Sequence, residues 1–163
     1  MVGFNSQMER ALAEARMAAA QGEVPVGAVI VDPRGRVVAA ARNRTRELCD
    51  PTAHAEILAL REACAKAGTE RLPGHVLYVT LEPCAMCAAA ISYARIARLL
   101  FGAADPKSGG VLHGARVFQH PQIHHVPEVY DGLAAEESGA LLREFFDGLR
   151  AARPSTPASP FPS

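Results

Sequence analysis

Two short fragments, His54-Ala55-Glu56 and Pro83-Cys84-Ala85-Met86-Cys87, constrain this chain more than anything else in it. They set an imidazole and two thiols, the favoured ligands of zinc, in two separate stretches, with a carboxylate beside the imidazole that need not be a ligand. Three protein ligands leave the fourth corner of a tetrahedral zinc open, which marks a catalytic rather than a structural site. Water in that corner has its pKa lowered to about 7, so hydroxide becomes available at neutral pH, and a neighbouring carboxylate suits hydrolysis. Any fold this chain adopts has to bring both fragments to one point.

The spacing says how. Cys84 and Cys87 stand at i and i+3, on one face of a helix. Pro83 suits the first turn of that helix, where its missing N–H costs nothing. Thiolates at a helix N-terminus are stabilised by the macrodipole and the free backbone N–H groups. His54 and Glu56, two apart, face nearly opposite ways in mid-helix and can address one site only over a helix end. Pro51-Thr52 supply such an end, with Thr52 as the expected N-cap. The run Ile57, Leu58, Leu60, Ala63, Cys64 continues that helix to about Ala67, and Gly68 stops it. Two helix N-termini are therefore expected to converge on one metal. A closed site with Cys49 or another His as fourth ligand leaves Glu56 without a purpose, and a Cys84–Cys87 disulfide is not expected in a chain with no sign of export.

Length and charge narrow the class. The 163 residues suffice for one domain with its own core. We expect a single zinc-dependent domain over residues 1–153 and a disordered Pro/Ser-rich tail over 154–163. No apolar run is long enough for a membrane span, and the opening MVGFNSQMER is too polar for a signal peptide, so a soluble cytoplasmic protein is expected. Four cysteines, two of them in a metal motif, fit a reducing compartment. A formal net charge of zero argues against a uniformly basic nucleic-acid binder while allowing a local patch.

Periodicity orders the remaining elements. Ser6-Gln7-Met8-Glu9 reads as a capping box opening a helix with the stripe Met8, Leu12, Ala15, Ala19, ended by Gly22. Val26 to Val31, a turn at Asp32-Pro33-Arg34-Gly35 and Val37 to Ala41 read as a hairpin. A polar loop, Arg42 to Asp50, precedes the His54 helix. His75 to Thr80 is a strand leading into the cysteine helix, and Ile96 to Phe101 is another. Ala103 to Gly114 is a loop, His124 to Tyr130 a weak strand, and Leu133 to Arg150 a last amphipathic helix. Strands alternating with helices imply a layered α/β domain with parallel crossovers, and both metal motifs fall where strands hand over to helices.

H-x-E with P-C-x-x-C is the signature of the zinc nucleobase deaminases. The chain resembles the cytidine/deoxycytidylate deaminase-like superfamily and, within it, the bacterial tRNA-specific adenosine deaminases. The resemblance runs from about Glu9 to Arg150. It rests on Glu23-Val24-Pro25-Val26-Gly27-Ala28-Val29, Asn43-Arg44, Asp50 to Ile57 and Tyr78 to Cys87. Phe101-Gly102-Ala103, Asp105-x-Lys107-Ser108-Gly109 and Leu141-Leu142-x-x-Phe145-Phe146 point to the tRNA enzymes more narrowly. The chain departs from the commonest form at His124-His125 and across Val111 to Val117.

The resemblance implies an α/β fold, a three-layer α/β/α sandwich around a five-stranded mixed sheet, and a homodimer. It implies one Zn2+ per chain on His54, Cys84 and Cys87. The activity it implies is hydrolysis of adenosine to inosine at the wobble position of a tRNA anticodon loop, with Glu56 as catalytic proton carrier. Asn43 and Ala55 would contact the target nucleoside, and Asp105, Lys107, Ser108 and Phe146 the nucleotides around it. Read without the resemblance, Asn43 can equally satisfy backbone groups in a turn. One of Phe145 and Phe146 is expected in the core and one free to stack on a base. The rival readings are a free nucleobase or nucleoside deaminase of guanine or cytosine type, and a silent RNA-binding subunit. The intact Glu56 speaks against the latter.

Overall fold

The computed structural model describes residues 6–154; the tail expected over 154–163 lies, beyond Pro154, outside them. Gly27–Val31 (β1) is buried at every position, so it takes an interior place in a sheet rather than an edge. The turn after it returns the chain as β2, Val37–Arg42, antiparallel to β1. Val76–Leu81 (β3) lies antiparallel on the other side of β1, and Arg98–Ala103 (β4) runs parallel to β3. Glu128–Tyr130 (β5) closes the edge parallel to β4, giving the order β2-β1-β3-β4-β5 in a mixed sheet.

Four helices cover both faces. Ala55–Ala67 (α2) and Ala85–Tyr93 (α3) lie on one, and Met8–Ala20 (α1) and Ala135–Ala152 (α4) on the other. The two-residue period of the strands divides the core accordingly. Ala28, Ile30, Leu77, Val79, Leu99 and Phe101 pack with Ala55, Ala59, Leu60, Ala88 and Ile91. Val29, Val31, Tyr78 and Leu100 pack with Met8, Ala11 and Leu12. α1 lies so close to β1 that a Cβ at Gly27 would overlap the carbonyl oxygen of Ala11. This is the expected three-layer α/β/α arrangement.

Local details shift. The capping box does not form: Ser6 Oγ accepts from the N–H of Met8, and Gln7 occupies the cap position without a side-chain bond. The buried stripe of α1 runs through Ala11 and Ala18, with Ala19 half-buried. Thr52 does not cap α2; both its N–H and its hydroxyl are taken by Asp50 Oδ1, and His54 becomes the cap residue. Gly68 ends α2 as expected, at φ 68°. β4 begins at Arg98 rather than Ile96: the N–H of Ile96 still bonds Ile91 O in α3, and that of Ala97 bonds His75 O just ahead of β3. Only three of the residues from His124 to Tyr130 pair as a strand, and the last helix runs two residues later than expected.

Candidate metal centre and active site

The two motifs converge because β2 and β3, both antiparallel to the β1 strand between them, finish at the same end of the sheet, where the chain goes on from β2 to α2 and from β3 to α3. His54 and Cys84 are the cap residues of α2 and α3, both with extended backbone (φ/ψ −72/152° and −70/174°). Pro83 thus precedes the helix rather than opening its first turn, and Cys87 stands in that turn. His54 Nδ1 lies 3.6 Å from Cys84 Sγ and 3.5 Å from Cys87 Sγ, and all three donor atoms fall within 4.8 Å of one another. Bonds of about 2.3 Å to sulfur and 2.0 Å to nitrogen at tetrahedral angles would set N and S about 3.5 Å apart. One imidazole and two thiols at these separations fit zinc. Cys49, the alternative fourth ligand, is exposed and apart from the group.

The electrostatics are those of a site built for a cation. Cys84 is pulled down to about 4, chiefly by the hydrogen bond from Cys87 and then, against burial, by His54. Cys87, the donor in that bond and itself buried, is pushed up instead. His54 is raised by its bond to Cys84. Metal binds the deprotonated forms, so its uptake releases protons.

Glu56 stands one residue into α2, is 4% exposed, and lies beside Cys87. Burial pushes its carboxyl up to about 7, against the pull of its own backbone N–H and of His54. A carboxyl poised there can both take and give a proton at neutral pH.

The other expected residues divide. Asn43 is buried at the end of β2, and its Oδ1 accepts from the N–H of Ala55 at 2.8 Å. It therefore holds the first turn of α2. The N–H of Ala55 makes that bond, and its side chain is buried. Asp105 Oδ1 accepts from the N–H groups of Lys107 and Ser108, folding its own loop. That loop faces α4: Asp105, Lys107, Ser108, Phe146 and Arg150 line one groove. Phe145 is half-buried and Phe146 is 42% exposed, with the rings edge-to-face at 5.4 Å; neither joins the core, where one of the two was expected, because α4 buries only Ser138.

Two buried carboxylates escaped the sequence reading. Glu23 accepts from the N–H groups of Arg46 and Glu47, both at 2.9 Å, and from the hydroxyl of Thr45. Glu82 accepts from the N–H groups of Asp105, Val111, Leu112 and His113 and from the His113 ring. Each ties down a loop flanking the site. A glutamate inside an apolar run, as in Val79-Thr80-Leu81-Glu82-Pro83, is the signal that marks such a residue.

The family model for the cytidine and deoxycytidylate deaminase zinc-binding region matches residues 4–103. A tRNA-specific adenosine deaminase of Agrobacterium fabrum is 62% identical over 139 residues, 85% of this chain and 91% of that protein. A solved structure from studies of A-to-I editing by tRNA:A34 deaminases at the wobble position is 61% identical. It covers 83% of this chain and 97% of its own, with a TM-score of 0.81. A guanine deaminase from Nitrosomonas europaea is 27% identical with a TM-score of 0.75, covering 89% and 85% of the two chains.

Proposed function

The chain belongs to the cytidine and deoxycytidylate deaminase family, and within it we infer a zinc-dependent tRNA adenosine deaminase that converts adenosine to inosine at the wobble position. The overall reaction takes adenosine and water to inosine and ammonia. One observation carries the reading: Glu56 converges on His54, Cys84 and Cys87 in a chain 62% identical to a tRNA-specific adenosine deaminase. His54, Cys84 and Cys87 hold zinc, which when bound supplies water activated for attack at neutral pH.

The chain's own residues do the rest. Glu56 accepts the proton released as water adds to C6 of adenine, delivers it to N1, and later assists departure of the amino group as ammonia. Burial keeps that proton within the site, and such shuttling contributes on the order of 10²–10⁴-fold. Asn43 fixes the start of α2, and with it Glu56, and turns its amide nitrogen to the base. The target must leave its stack, which is least costly in a single-stranded anticodon loop. Phe146 stacks on a splayed neighbouring base and Lys107 meets phosphate across the groove they share.

A second copy of the chain completes the enzyme as a homodimer in this proposal, and light scattering of the pure protein tests that assembly. No helix among the described residues is long and apolar enough to cross a membrane, in keeping with a cytoplasmic enzyme working on tRNA. The test of function is pure protein incubated with an anticodon stem-loop carrying adenosine at the wobble position. Inosine is expected. No inosine, together with consumption of free guanine, favours the free-base reading.

A further inference from the structure

We propose that Glu82 is the positioning residue for the 105–113 loop, with His113 as its clamp, and that together they set how tightly the anticodon is gripped. The inference rests on the tRNA reading above.

Glu82 follows the last residue of β3, its side chain fully buried. A buried charge is tolerable only when its hydrogen-bonding capacity is met, and a carboxylate has about four acceptor sites. Here five donors converge. Oε1 accepts from Asp105 N at 3.1 Å and faces His113 Nδ1 at 2.7 Å. Oε2 accepts from Val111 N at 3.3 Å, and from Leu112 N and His113 N at 3.1 Å. The ionised carboxylate only accepts, so Nδ1 is the ring nitrogen that carries a proton.

Every donor comes from one segment, and Asp105 and His113 are its two ends. Glu82 therefore cinches the loop at its neck, while Lys107 and Ser108 project from it into the groove opposite Phe146. The intervening backbone lies directly on the carboxylate: a Cβ at Gly109 would overlap Glu82 Oε2, and one at Gly110 would come within 2.5 Å of Ala85 N. Gly110 N also bonds Pro83 O at 2.8 Å, which seats the loop against the start of α3. Glu82 reaches none of the reacting atoms. It acts through the loop, so loosening it should weaken RNA capture more than turnover.

The test uses zinc-loaded, full-length protein and an anticodon stem-loop. Glu82→Gln, which presents an amide N–H to a ring of donors, should keep one zinc per chain and raise KM about tenfold or more, with kcat within about threefold. In the RNA-free protein, the amides of Asp105, Val111, Leu112 and His113 should exchange at least about tenfold faster. His113→Ala should raise KM by roughly three- to tenfold. His113→Asn, whose amide N–H can replace Nδ1–H, should restore KM to within about twofold. Wild-type KM and wild-type exchange in a folded Glu82→Gln protein overturn the proposal, as does His113→Asn behaving like His113→Ala. If Glu82→Gln does not fold, the His113 pair decides alone. If the wild type leaves the stem-loop unconverted, the functional reading has failed instead. Exchange without RNA then decides the tether, and unchanged protection in His113→Ala overturns it.

Discussion

The two ends of the central strands are held by the same chemistry at different sequence range. At one end the β1–β2 turn closes on Asp32. Its Oδ1 accepts from the N–H groups of Arg34 and Arg36, both at 2.9 Å, and its Oδ2 from Arg36 Nε at 2.8 Å, all within four residues. At the other end Glu23 and Glu82 gather N–H groups from 23 to 31 residues away. The turn supports itself. The loops beside the metal ligands have irregular backbones, so their N–H donors need partners from elsewhere in the fold. One end has self-sufficient geometry; the other borrows it.

The sharpest contrast between the ends should come from Glu56→Ala. Deamination of an anticodon stem-loop should fall by at least about 10²–10⁴-fold while elemental analysis still finds about one zinc per chain. Activity within tenfold of wild type would remove Glu56 from the proton path.

Next come His54→Ala and Cys87→Ala, which reach stability as well as chemistry. The ligands stand 30 residues apart and meet only in the folded chain, so metal binding adds to folding free energy. Lost zinc and a lower Tm are expected, and full zinc content in either variant would show the ligand set to be wrong.

Smaller effects should separate the groove from the metal. Phe146→Ala should weaken stem-loop binding by about 1–3 kcal/mol, the usual contribution of a base–aromatic stack, without altering its salt dependence. With zero net charge, few phosphate contacts are expected, and so a slope of log affinity against log salt on the order of −2 to −4. Lys107→Ala should flatten that slope by roughly one contact, with zinc untouched in both. If neither variant changes binding, the groove is not the RNA site and the comparison of the two ends fails.

The mildest change is expected at the self-supporting end. Asp32 is held below the usual carboxylate range, first by the Arg36 N–H and then by the Arg36 side chain. A depressed carboxyl contributes stability that is present above its unfolded value of about 3.9 and lost as pH falls through its folded value. Asp32→Ala should therefore lower Tm slightly at pH 7, and the gap from wild type should close below about pH 3. A gap that widens in acid would assign Asp32 a different role. A loss of deamination would couple the turn to the site.

This contrast also explains what was legible in the chain. The Asp32 turn, the Gly68 stop and the two metal motifs are local patterns, and each stands where its spacing put it. What shifted had competing partners. Thr52 is a good cap by type, yet its hydroxyl goes to Asp50, so His54 and Cys84 stand at the helix caps without side-chain capping bonds. That placement lets the two ligands point off the helix ends toward each other. Glu23 and Glu82 were missed because nothing beside them in the chain names the donors they collect. Nor does anything beside Ala55 in the chain name Asn43 as the acceptor of its N–H.

α4 carries Phe146, Arg143 and Arg150 to the groove, yet of its 18 residues only Ser138 is buried. Ser138 seats against Gly102, where a Cβ would come within 2.6 Å of its hydroxyl oxygen. The outer turns of the helix are thus nearly free of obligations to the core. For evolution this separates two kinds of change. Substitutions around His54, Cys84 and Cys87 are judged by whether the enzyme still works at all. Substitutions along the exposed length of α4 can drift with little risk to folding and, on the proposed reading, be judged by the RNA they meet. A lineage, or a laboratory library, that needs a new substrate preference has in α4 a surface it can rewrite without rebuilding the catalyst.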